Sequence, residues 1–67
     1  MPLEELVGRT LGPCRLDALL GSGGRAAVFR ATHLALERAV AVKVILPGPA
    51  ATDESFLREA RLAAYRL

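Results

Sequence analysis

The stretch Ala39–Leu46 reads AVAVKVIL, an unbroken apolar run apart from Lys43. Valine and isoleucine dominate it, and β-branched side chains suit a pleated strand. With Arg38 in front, residues 38–46 are predicted to form a strand. A charged amine in the middle of such a strand needs either water or a counter-charge, because a buried lone charge is costly. The chain has nine cationic side chains, and Lys43 is the sole lysine among eight arginines. The position therefore calls for something lysine supplies and arginine does not: a compact point charge on a flexible stem.

Downstream, Pro47-Gly48-Pro49 ends the strand, since proline gives no amide hydrogen to a ladder. Thr52 or Asp53 can cap a helix, and Asp53 and Glu54 place negative charge in its first turn. Phe56, Ala60, Ala63 and Leu67 fall at three- and four-residue spacing, which predicts one apolar stripe on a helix over 53–66. Glu59 lies beside that stripe. Upstream, CRLDALL at 14–20 partly alternates, with Leu16, Ala18 and Leu20 on one face of a strand. The breaker Gly21-Ser22-Gly23-Gly24 follows. RAAVFRAT at 25–32 carries both signals: Val28, Phe29 and Thr32 favour strand, the alanines and arginines favour helix. His33–Glu37 reads as a connection with a solvated His33. Residues 1–13 read as a leader that ends at Gly12-Pro13.

Length and composition narrow the classes. Sixty-seven residues make one small domain, with 52% hydrophobic and 24% charged residues, which is ordinary for a globular chain. A chain of this size buries about 60% of its unfolded surface, so its stability is marginal. The net charge is +2 and the cations are scattered singly. They read as solvated faces rather than a nucleic-acid or membrane surface. Cys14 is alone, so no internal disulfide forms, which suits a reducing compartment. Cys14 is read as a packing residue. No window approaches the ~18 apolar residues of a membrane span, and the acidic opening is unlike a signal peptide. A cytoplasmic location is expected.

The glycine cluster is the second feature that bears on chemistry. Glycines let a backbone approach a ligand closely, and main-chain amides can then meet phosphate oxygens. A plain flexible turn is the alternative. A P-loop needs lysine then Ser or Thr after its glycines; Arg25-Ala26 stands there instead. A dinucleotide-binding βαβ unit would use a strand at 14–20, a helix at 25–38 and a strand at 39–46. It lacks its third glycine and the acidic residue that takes the ribose. It also leaves Lys43 unexplained.

LLGSGGRAAVFRATH followed by AVAVKV resembles the opening of a protein kinase domain, above all the bacterial serine/threonine kinases. The family pattern G-x-G-x-x-G-x-V falls on Gly21, Gly23, Ala26 and Val28. The A-x-K strand falls on Ala41-Val42-Lys43, and FLREA matches the αC helix of the family at Glu59. LVGRTLGPCRL is similar to the lead-in of bacterial members. The resemblance implies that Lys43 anchors the α- and β-phosphates of ATP and pairs with Glu59. It implies that Leu20, Val28 and Ala41 roof the adenine, and that the backbone of Gly21, Ser22, Gly23, Gly24, Arg25 and Ala26 covers the phosphates. Ala26 replaces the third glycine, and Arg25 stands where bacterial members often have Met.

The fold expected on this basis is α+β: a three-stranded antiparallel sheet, with strands near 14–21, 25–32 and 38–46, followed by one helix at 53–66. Residues 14–67 would be a partial kinase N-terminal lobe. The cofactor would be ATP with Mg²⁺, and the complete domain would phosphorylate protein Ser/Thr. The catalytic Asp and the Mg²⁺ ligands of the family come after its αC helix. Asp17 and Asp53, the only aspartates, both precede Glu59 and fit neither the H-R-D nor the D-F-G motif of the family, so this chain is expected to be inactive alone and to bind ATP weakly or not at all. No metal site is assigned. Two other classes remain: the βαβ fragment, which requires helix at 25–37, and a non-catalytic interaction module that docks through an open edge strand.

Overall fold

The computed structural model describes residues 2–66. A 3₁₀ turn at Leu3–Leu6 leads into five strands and one short helix. These are β1 (Thr10–Leu11), β2 (Cys14–Gly23), β3 (Ala26–His33), β4 (Arg38–Ile45), α1 (Asp53–Glu59) and β5 (Arg61–Arg66). The strands form one antiparallel meander in the order β1-β2-β3-β4-β5.

The expectation of three strands followed by a helix at 53–66 is therefore corrected. The three central strands run at 14–23, 26–33 and 38–45, near the expected places. A two-residue β1 and a six-residue β5 extend the sheet at either side. The helix keeps its expected start: Thr52 is the N-cap, its hydroxyl accepts from the Ser55 amide at 3.1 Å, and the Ser55 hydroxyl accepts from the Thr52 amide at 2.8 Å. It ends at Glu59, after seven residues. Ala60 is extended, with φ −61° and ψ 130°, and the chain turns into β5 against β4. Arg, Leu and Ala favour helix only by tenths of a kcal/mol each. Pairing with β4 satisfies backbone groups that an open edge would leave bare, so tertiary context overrides local preference. Of the anticipated stripe, Ala60 is buried and Phe56 packs against the core, whereas Ala63 is exposed. Leu67 lies outside the described residues.

The ambiguity at 25–32 resolves as strand. Ala27, Phe29, Ala31 and His33 alternate inward along β3, and Val28 and Arg30 alternate outward. The parallel βαβ reading is overturned, because β2, β3 and β4 are consecutive antiparallel neighbours. Period-2 inward placement also corrects the solvated His33. It is 8% exposed, its Nδ1 accepts from the Leu36 amide at 3.2 Å, and its ring meets Tyr65 at a 5.5 Å centroid distance.

The core lies on one face of the sheet. Cys14 and Leu16 of β2, Ala27, Phe29 and Ala31 of β3, and Val40, Val42 and Val44 of β4 are buried there with Leu6 and Ala60. Leu3, Phe56, Leu57 and Leu62 pack against this cluster. Cys14 is fully buried, as a packing residue should be, and burial pushes its thiol pKa up.

On the other face β2 and β3 are tied by a polar cluster. The Thr32 hydroxyl donates to Asp17 Oδ2 at 2.6 Å, Arg15 Nε donates to Asp17 Oδ1 at 3.0 Å, and Arg15 Nη2 donates to Thr32 Oγ1 at 3.4 Å. The Thr32 hydrogen bond, then the Arg15 hydrogen bond and charge, hold the Asp17 carboxyl below its ordinary pKa. A depressed folded-state pKa means the unfolded chain binds more protons in this window. The contribution is thus present above the unfolded-state value and is lost as pH falls through the folded one. Urea titrations across acidic pH should show stability falling, and Asp17→Asn should flatten that part of the profile.

Candidate nucleotide face of the sheet

The outer face carries the residues that the sequence singles out. Cross-strand register aligns Val28, Lys43 and Ala64 in one row, and Arg30, Ala41 and Arg66 in the next. Alternation along β4 turns Ala41 and Lys43 outward between the buried Val40, Val42 and Val44. Leu20 stands at the irregularity in the β2–β3 register and is 61% exposed, and Val28 is 38% exposed. Leu20, Val28, Ala41 and Lys43 therefore share one solvent-facing surface.

Two shallow hollows lie side by side on it and share Ala41 and Arg66. One, of about 180 Å³, runs over Val28, Ala41, Lys43, Ala64 and Tyr65. The other, of about 320 Å³, runs over Leu20, Arg30 and Ala39. Each alone is at or below the size of a typical small-molecule pocket, ~300–1,000 Å³. Together they offer an apolar floor edged by Arg30, Lys43 and Arg66.

The glycine cluster is mostly strand. β2 continues through Gly21, Ser22 and Gly23, which pair with Val28, Ala27 and Ala26. Only Gly24 and Arg25 form the turn. Gly24 has φ +58°, a conformation that glycine adopts without a Cβ penalty at the first central position of a two-residue hairpin. Gly21, Ser22, Gly23, Gly24 and Arg25 are exposed, and Ala26 is half-buried. The hairpin thus projects from the same pair of strands that present Leu20 and Val28.

Lys43 is exposed rather than enclosed, which revises its reading as a charge in a buried strand. The strand is buried on one face only, and Ala39 and Ala41 are among its outer residues. Glu59 is not brought to it. Glu59 ends α1 and precedes Ala60, which packs into the core on the inner face, whereas Lys43 points from the outer one. No hydrogen bond or ion pair joins Lys43 to Glu59 among the described residues, and within α1 Glu54 pairs with Arg58 at 3.7 Å.

Arg30 and Arg66 are outer-face residues that the sequence reading did not single out. Arg30 was recoverable, since it alternates with Val28 once 26–33 is a strand. Arg66 was not, because its segment reads as helix. Among the described residues no group of three or more His, Cys, Asp and Glu could hold a metal ion, and no helix is long and apolar enough to cross a membrane.

No protein-family profile matches the chain, and no solved structure matches it. A curated protein does: the serine/threonine-protein kinase pkn3 of Myxococcus xanthus is 40% identical over 65 residues. The alignment takes in 91% of this chain and 12% of the length of that kinase. Over nearly all its length, then, the chain is similar to a short segment of a bacterial serine/threonine kinase.

Proposed function

We propose that the outer face of the sheet is the nucleotide-facing surface of a kinase-like domain. Leu20, Val28 and Ala41 supply the apolar surface for adenine, and Lys43 is the cation for the α- and β-phosphates. The Gly21–Val28 hairpin covers the phosphate tail with main-chain amides. The observation that carries this reading is the convergence of Leu20, Val28, Ala41 and Lys43 on one face beside a glycine hairpin. The similarity to a kinase segment supports it.

An apolar floor with a cationic rim fits the two ends of ATP. Bound there, ATP would supply the phosphoryl group. The chain's own residues orient it: the apolar side chains of Leu20, Val28 and Ala41 hold the base, and Lys43 offsets phosphate charge. No described residue is proposed as a Mg²⁺ ligand. Glu59 is the proposed charge partner of Lys43 in the nucleotide-bound state, and reaching it requires α1 to leave its present seat on the core. Phosphorylation of protein Ser/Thr is proposed for a longer protein of the pkn3 kind, and this chain alone is proposed to be inactive.

The test is a Mg-ATP titration of the ¹⁵N-labelled chain. Binding weak enough to need millimolar nucleotide is expected, with amide shifts at residues 20–28, 41 and 43. Lys43→Met should weaken it about tenfold, a loss of about 1.4 kcal/mol in binding. Its unfolding midpoint should stay near wild type, because exposed substitutions usually act within about 0.5 kcal/mol. Shifts confined to other residues, or equal affinity in Lys43→Met, would remove the proposal.

A further inference from the structure

The sheet ends at β5. One side of this strand pairs with β4, from Ala41 with Arg66 to Ile45 with Arg61, and the other side has no strand neighbour among the described residues. Such an edge presents unpaired amide and carbonyl groups, a template for another extended chain. The opposite edge, β1, is two residues long and offers little. β5 offers six residues and buries none of them, and Leu62 alone is half-covered.

Charge says what the edge would take. β4 and β5 together carry Arg38, Lys43, Arg61 and Arg66 and no carboxylate, and all four cations are exposed. Arg61 and Arg66 stand at the two ends of β5. A second copy is a poor occupant: the antiparallel register that pairs all six residues of β5 with themselves sets Arg61 against Arg66. Like charges directly opposite are destabilising. An extended segment with a carboxylate at each end would meet both arginines and complete the ladder.

We propose that the free edge of β5 binds an extended acidic peptide by strand addition. Main-chain hydrogen bonds would give affinity, and Arg61 and Arg66 would select acidic ends. Arg66 also borders the Lys43 hollow, whereas Arg61 and the free main-chain edge of β5 do not, and the test is run without nucleotide.

The experiment uses the full ¹⁵N-labelled chain and the probe peptide acetyl-Glu-Val-Thr-Val-Thr-Glu-amide. Amide shifts confined to β5 and its β4 partners are expected. A peptide with Lys at both ends should bind about tenfold more weakly, as should the acidic peptide to Arg61→Glu/Arg66→Glu, since each turns two cross-strand attractions into repulsions. The acidic peptide with alternate amides N-methylated keeps its charge and loses its ladder donors. Tested on the unmodified protein, it should not bind, which keeps the question answerable if the double variant misfolds. Equal binding of the N-methylated or the lysine peptide would overturn the proposal. So would no binding at millimolar peptide, shifts at β1, tighter binding of a single-stranded oligonucleotide, or a dimer formed without peptide.

Discussion

Phe29→Ala is expected to abolish cooperative unfolding of this chain at 25 °C. Phe29 is fully buried on β3, the central strand of the meander, opposite Leu19 of β2 and Val42 of β4. It is the largest of the fully buried side chains, in a core otherwise built from Leu, Val, Ala and Cys. Small neighbours cannot collapse into the space of an aromatic ring, so most of the cavity would persist. Phe→Ala substitutions in cores cost about 3–5 kcal/mol. A domain of this size has roughly 3–10 kcal/mol to lose, at about 0.05–0.15 kcal/mol per residue. Urea titration followed by circular dichroism should show no native plateau for the variant. Val28→Ala, one position along on the exposed face, should leave the transition nearly in place. A full native baseline in Phe29→Ala would mean that the core lies elsewhere.

Leu6→Ala is expected to destabilise by about 2–5 kcal/mol, the range for a truncated core leucine. From sequence, residues 1–13 read as a leader. In the structure Leu6 is 1% exposed and belongs to the core cluster. The segment is also stitched to β2: the Gly8 amide donates to the Leu16 carbonyl at 2.7 Å, and the Leu16 amide donates to the Arg9 carbonyl at 2.8 Å. The 3₁₀ turn therefore lids the inner face of the sheet. The readout is a lower urea midpoint at an unchanged slope, since a change in slope would signal altered compactness instead. An unshifted midpoint would show that the segment is a passenger.

The candidate surface was legible in part. Leu20, Val28, Ala41 and Lys43 were named from motif spacing, and period-2 alternation on antiparallel neighbours places them together without further help. Arg30 follows by the same rule once 26–33 is known to be strand. Arg66, Ala64 and Tyr65 could not be read, because no local signal in RLAAYR predicts a strand. The Asp17–Thr32–Arg15 cluster was equally invisible, since Thr32 lies 15 and 17 residues from Asp17 and Arg15 and meets them only through the β2–β3 register.

By itself, the sequence determined what depends on neighbours along the chain. The β-branched run makes β4, Gly24 permits the hairpin turn, the prolines end the strand, and Thr52 caps α1. Each is a matter of local sterics or a hydrogen bond within three residues. Tertiary structure decided what depends on distant partners: that 61–66 extends along β4 instead of prolonging α1, that His33 and Leu6 turn inward, and that Phe56 and Leu57 of α1 pack on the core face while Lys43 stands exposed on β4. The physical reason is one of magnitude. Helix preferences of Arg, Leu and Ala amount to tenths of a kcal/mol per residue. Pairing with β4 adds ladder hydrogen bonds and cross-strand side-chain pairs at five positions, each worth some tenths to about 1 kcal/mol, and together these prevail.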